Sequence, residues 1–158
     1  MHSRTIQITL FLIAGACLSC SARSEPEIDK INLPPGFRIA VYADGLEKAR
    51  AMAFGPKGTL FVGNFGDPGK VYAVLDRDKD HRADRILVID SGVKWPVGLD
   101  IHEGDLYVSA LNKILRYDDI EERLEDPPDP LVVTDVLPTD GHHGWKFIKF
   151  GPDGLLYV

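Results

Sequence analysis

The stretch AMAFGPKGTLFVGN, residues 51–64, decides the fold. Its first four residues are apolar, Gly-Pro-Lys-Gly supplies turn chemistry, and Leu-Phe-Val resumes an apolar run, so the segment reads as strand, tight turn, strand. The same order recurs in PVGLDIHEGDLYVSALN, 96–112, and in WKFIKFGPDGLLYV, 145–158. Aligned on Gly58, Gly104 and Gly154, the copies repeat at 46 and 50 residues, the span of a unit built from one four-stranded sheet. Two copies continue alike: GKVYAVLDRD from Gly69 and NKILRYDDI from Asn112 each place a lysine, alternating apolar residues and then acidic ones, the pattern of a third strand leading to a polar loop. GFRIAVYA, 36–43, alternates as a first strand, and no stretch sustains a helical period.

The expected class is therefore all-β, with the repeats as blades of a β-propeller. About two and a half four-stranded blades are present, and a propeller ring needs about four to eight. That shortfall predicts an N-terminal fragment whose third hairpin is left with an unpaired edge and which is inactive alone.

The rest of the composition sets bounds. With 158 residues, 44% of them hydrophobic, the chain is long and apolar enough to bury a core. Lysine plus arginine number 18 against 24 acidic residues, and a net charge of −6 argues against nucleic acid or an anionic membrane surface as partner.

The first 22 residues read as a signal segment. Arg4 precedes the apolar run 6–18, and small residues follow in AGACLSCSA, which is the layout of an export signal rather than a spanning helix. Both cysteines fall here. Cys17, after Ala14-Gly15-Ala16, or Cys20 would carry the lipid of a lipoprotein, and cleavage after Ala22 is the alternative, leaving a mature chain without cysteine. The chain thus divides into a signal or lipoprotein segment, 1–22, a polar linker, 23–35, and the propeller part, 36–158, with a periplasmic location free or lipid-anchored.

Chemistry concentrates in TDGHHGW, 139–145. Loops entering the first strand of a blade line the mouth of a propeller channel, where ligands bind. A histidine titrates near neutrality, so His142 or His143, oriented by a carboxylate such as Asp140, suits proton transfer with an alcohol. The competing reading has both imidazoles capping turn backbone. Trp145 offers an aromatic face for a flat ring or a sugar, and packing between blades is the alternative. Trp95 shares that ambiguity. DRDKDHRAD, 76–84, spaces Asp76, Asp78, Asp80 and Asp84 like positions 1, 3, 5 and 9 of a calcium loop. His81 occupies the turn position where such loops carry glycine and Leu87 that of the closing glutamate, so an exposed charged loop is the competing reading. His102 reads as a solvated turn residue, and GNFGDPG, 63–69, as a turn without the helix a nucleotide fingerprint requires.

HHGWKFIKFGPDGLLYV, LPPGFRIAVYADGLEKARAMAFGPKGTLFVGN and VYAVLDRDKDHRAD together resemble the N-terminal part of the glucose/sorbosone dehydrogenase family, over residues 33–158. The resemblance implies an exported six-bladed propeller that oxidises an aldose, sorbosone or related sugar aldehyde with pyrroloquinoline quinone (PQQ). It also implies a calcium ion that polarises the cofactor and an electron acceptor such as a cytochrome or quinone. In that family the histidine eight residues before the first glycine of FGPDG is the general base, which selects His143, with His142 as its neighbour. Two departures are present: His142 stands where some members have aspartate, and no glutamine near WPVGLD matches their quinone contact. Both point to the sorbosone-type branch. Calcium at Asp76, Asp78, Asp80 and Asp84 would be structural. The alternatives are a non-catalytic propeller that binds carbohydrate or protein, and a lactonase-like hydrolase.

Overall fold

In the computed structural model, which describes residues 26–158, the described residues fall into two units, divided between Ile39 and Ala40. The signal segment, Cys17 and Cys20 lie outside the described residues. In the first unit the described part holds one 3₁₀ turn, Ile28–Lys30, with an exposed Lys30–Glu27 ion pair at 2.7 Å.

The second unit is built of antiparallel strands with a single 3₁₀ turn, Ile120–Glu122. Strands β1 (Ala49–Phe54), β2 (Leu60–Asn64), β3 (Gly69–Leu75) and β4 (Arg85–Val93) form one sheet in chain order. A second sheet repeats that order with β5 (Gly98–His102), β6 (Asp105–Ser109), β7 (Ile114–Tyr117) and β8 (Leu131–Thr134). A third hairpin follows, β9 (Lys149–Phe150) with β10 (Leu156–Tyr157). Among the described residues these sheets do not close into a ring.

The turns explain the regularity. In the first hairpin the Gly55 amide donates to Thr59 O at 2.9 Å and the Gly58 amide to Gly55 O at 3.0 Å; in the third, Gly151 to Leu155 O and Gly154 to Gly151 O repeat those distances. Gly58 and Gly154 sit at φ +93° and +76°, where a Cβ is strained. The middle hairpin is shorter: Glu103 and Gly104, at φ 52° and 94°, both take positive φ, the two-residue turn that matches strand twist.

Alternation then sorts side chains to two faces. Phe61, Val71, Ala73 and Ile89 of the first sheet meet Leu99, Leu106, Val108, Leu115 and Tyr117 of the second in one buried cluster. β1 contacts β5 and β5 contacts β9, so the first strands of the three sheets are neighbours. On its other face the first sheet buries Leu60, Val62, Tyr72 and Val74 under Tyr42, Ala43, Leu46 and Ala83. Met52 and Phe54, on that same face, remain 65% and 66% exposed.

One expected strand is absent. Residues 36–43 form no ladder; the Tyr42 carbonyl accepts the Ala83 amide at 2.7 Å, and Tyr42, Ala43 and Leu46 cover the first sheet with their side chains without extending it. The alternation did not mark a buried face either: Phe37, Ile39 and Val41 are exposed, and only Tyr42 and Ala43 are partly covered.

Candidate functional site

The loops that lead into β1, β5 and β9, and those that leave β2 and β6, gather at one end of the sheets. Phe65, just past β2, is tied there by its amide to Lys48 O at 2.9 Å, and Trp95, between β4 and β5, by its amide to Gly66 O at 2.9 Å. Phe65 becomes a hub. Its ring stacks on Trp95 at 5.5 Å and 14°, and meets the edge of Trp145 at 5.5 Å and 88°. The Arg50 guanidinium lies 5.8 Å from the Phe65 centroid and 5.5 Å from that of Trp145. Lys94 Nζ sits 5.3 Å from the Trp95 ring and pairs with Asp67 at 2.7 Å.

His143 joins this cluster, its ring 5.1 Å from Trp145 and 4.5 Å from His142. Both imidazoles are exposed, whereas Phe65, Trp95 and Trp145 are half-buried. Two bulky residues of the cluster hold left-handed backbone, Trp95 at φ 54° and His143 at φ 58°. Such conformations cost of order 1–3 kcal/mol each and persist where the surroundings over-determine them. Asp140 lies on the same loop, but among the described residues no hydrogen bond joins its exposed carboxylate to either imidazole. The structure therefore gathers His142, His143, Trp145 and Trp95, leaves Asp140 unattached to the rings, and adds Arg50 and Phe65, which sequence reading passed over. The Arg50 cation therefore lies over two aromatic rings, one of them beside an imidazole, with charge and ring faces attracting one another.

The aspartate loop lies at the opposite end of the first sheet, because β3 runs away from Phe65 toward Asp76. Carboxylate oxygens of Asp76, Asp78 and Asp84 lie within 4.8 Å of one another; Asp80 stands outside this group, its Oδ1 accepting the Arg82 amide at 2.8 Å. His81 adopts φ 67°, supplying the turn without glycine, and donates its amide to Asp76 Oδ2 at 3.1 Å. Asp76 Oδ1 is buried with no hydrogen-bond partner. The donor set is of the hard oxygen kind that suits calcium. Burial, with help from Asp76 and Asp84, raises the Tyr42 hydroxyl above its ordinary value.

Other side chains link one sheet to the next. Asp100, 4% exposed, accepts Lys149 Nζ at 2.6 Å and the Phe150 amide at 2.7 Å, bracketing β5 to β9. Glu121 accepts the amides of Lys57, at 3.1 Å, and Thr59, at 3.3 Å, and so caps the first hairpin's turn from the second sheet. His102 is no free turn residue: its ring stacks on Phe150 at 4.1 Å.

No family model matches the chain, and no solved structure matches it. Among curated sequences, an uncharacterized protein of Borreliella burgdorferi is 24% identical over 117 residues. The alignment covers 73% of this chain and 28% of that protein, so the chain spans little more than a quarter of the length of the relative it matches.

Proposed function

We propose that this chain is part of an exported β-propeller that oxidises an aldose, sorbosone or related sugar with PQQ, His143 being the general base. The observation that carries the reading is the convergence of the His143 ring with Trp145, Phe65, Trp95 and Arg50 where the first strands of three consecutive sheets begin. The exposed Met52 and Phe54 face of the first sheet supports the propeller, because a ring leaves such a face for the sheet that closes it.

When bound, PQQ supplies the quinone carbon that accepts a hydride. The residues of this chain do the remainder. Trp145 would present an aromatic face to the ring system, with the Arg50 guanidinium beside it to offset carboxylate charge. His143 takes the hydroxyl proton from the sugar hemiacetal as the C–H hydride departs, so the imidazole is neutral before the step and an imidazolium after it. Loss of that proton and of the hydride turns the hemiacetal into a lactone, and a cytochrome or quinone would be the electron acceptor. Asp76, Asp78 and Asp84 would hold a structural calcium, remote from the chemistry. A non-catalytic carbohydrate-binding propeller is the second reading, favoured by the absent Asp140 hydrogen bond.

The test supplies the full-length protein with PQQ and calcium and follows dye reduction across several aldoses. Reduction that requires PQQ and is lost in His143→Ala supports the dehydrogenase. Sugar binding without reduction favours the second reading, and full activity in His143→Ala removes that residue as the base.

A further inference from the structure

The loop that carries the histidines has no backbone ladder to hold it in place. From Pro138 to Phe147 it contains no strand, and among the described residues its backbone amides enter no turn or loop hydrogen bond to another backbone group. Nevertheless it is tightly folded. A Cβ on Gly144 would stand 1.6 Å from the Asp140 carbonyl oxygen, so residues 140–144 close on themselves as only glycine permits. His143, one residue earlier, sits at φ 58°.

Lys146 supplies the missing bonds. Its ammonium donates to Leu111 O at 2.7 Å, to Pro138 O at 2.9 Å and to Gly144 O. An ammonium has three N–H donors, and all three are used on backbone carbonyls. Pro138 and Gly144 flank the histidine turn, while Leu111 belongs to the loop between β6 and β7, so one side chain both closes the turn and ties it to the second sheet. The backbone of the same residue is fixed independently, because Ser109 Oγ, fully buried, donates to Lys146 O at 2.6 Å.

We propose that Lys146 is the positioning residue of the site: by tying Leu111, Pro138 and Gly144 together it sets where His143 and Trp145 stand. This inference rests on the reading of His143 given above, but its structural half is measurable whether or not the protein oxidises sugars. Hydrogen bonds from a charged donor are the strong ones, so losing three from a loop whose other ties are the Ser109 bond and the ring contacts of Trp145 loosens the histidine turn, while the strands keep their own ladders.

The experiment compares Lys146→Met, which keeps the aliphatic stem and removes the donors, with Lys146→Arg, which keeps charge and donors. Backbone order parameters of residues 141–145, measured by NMR on the full chain, are expected to fall from sheet-like values near 0.85 to below about 0.6 in Lys146→Met, to recover in part in Lys146→Arg, and to stay unchanged in β2, β3 and β6. Wild-type order retained in Lys146→Met overturns the proposal, as does equal loosening of the strands. If Lys146→Met does not fold, the wild-type protein decides: the Lys146 ammonium resonance should exchange with water at least about tenfold more slowly than those of exposed lysines, and equal exchange overturns the idea. Where sugar oxidation is present, Lys146→Met should lower kcat with KM little changed. A fall in loop order with no oxidation by the wild type keeps the positioning role and dismisses the dehydrogenase.

Discussion

Asp100→Ala probes how the third hairpin is attached to the rest of the fold. Asp100 is buried and its carboxylate serves two donors, the Phe150 amide at 2.7 Å and Lys149 Nζ at 2.6 Å. The donors are unequal. The Lys149 side chain is 65% exposed, so its ion pair is screened by solvent and contributes about 0–1 kcal/mol. The Phe150 amide is part-buried and loses its acceptor outright, which costs about 1–3 kcal/mol. Attachment should therefore weaken by about 2–3 kcal/mol in Asp100→Ala, a roughly 30- to 150-fold rise in local opening. In Lys149→Met the change should stay within about 1 kcal/mol, roughly fivefold. Hydrogen exchange at the Gly151 amide is the appropriate probe, because its bond to Leu155 O survives the substitution and opens only if the hairpin leaves β5. A detached two-stranded hairpin is not stable by itself, so detachment exposes that amide. Equal acceleration in the two variants, or none in Asp100→Ala, would refute the bracket.

Three further outcomes follow from the same geometry. Burial, and then the 2.6 Å hydrogen bond to Asp90, raises the Tyr117 hydroxyl far above 10.0; the neutral form is the one the fold favours, so this contribution is complete below the unfolded tyrosine value and is lost as pH rises. Alkaline titration at the phenolate absorbance should show Tyr117 ionising only together with unfolding, and a Tyr117→Phe protein with an unchanged alkaline midpoint would contradict this. The Tyr157 hydroxyl, 2.8 Å from Asp153, holds that carboxyl below 3.8; its contribution is present above that value and is lost as pH falls through the lower folded one. NMR titration should place the Asp153 midpoint below 3.8 and move it upward in Tyr157→Phe, whereas identical midpoints would exclude the bond. Calcium at 100 times its dissociation constant should stabilise the wild-type protein by about 2.7 kcal/mol and have no effect on Asp76→Asn; equal responses of the two melting curves would remove Asp76 as a ligand.

Much of the β architecture is local in origin, and so it was legible. The GPKG and GPDG turns impose hairpins through neighbouring residues alone, and the alternation in GKVYAVL sorts side chains to two faces wherever that strand finds partners. Segment 36–43 shows the limit: its alternation announced a strand, but whether a segment pairs depends on an edge elsewhere in the chain, and here Phe37, Ile39 and Val41 stay exposed. The aspartate loop repeats the lesson at smaller scale. Its spacing brought out four carboxylates, of which three converge, because Asp80 turns back to the Arg82 amide.

The candidate site divides along the same line. His142, His143 and Trp145 stood out because they adjoin one another in a turn-rich segment. Arg50 and Phe65 carried no such mark, since they lie some 80 residues or more before Trp145 and meet it only after two sheets have packed. The acceptors of Lys146 and the amide donor to Asp100 are main-chain groups, which every residue possesses, so no residue type advertises them. Residue identity alone determined where this chain turns and which faces of its strands are apolar, because those are interactions between near neighbours. The tertiary structure decided which loops meet at one end of the sheets, which carboxylates are buried and which carbonyls an ammonium gathers, because those contacts join segments that only packing brings together.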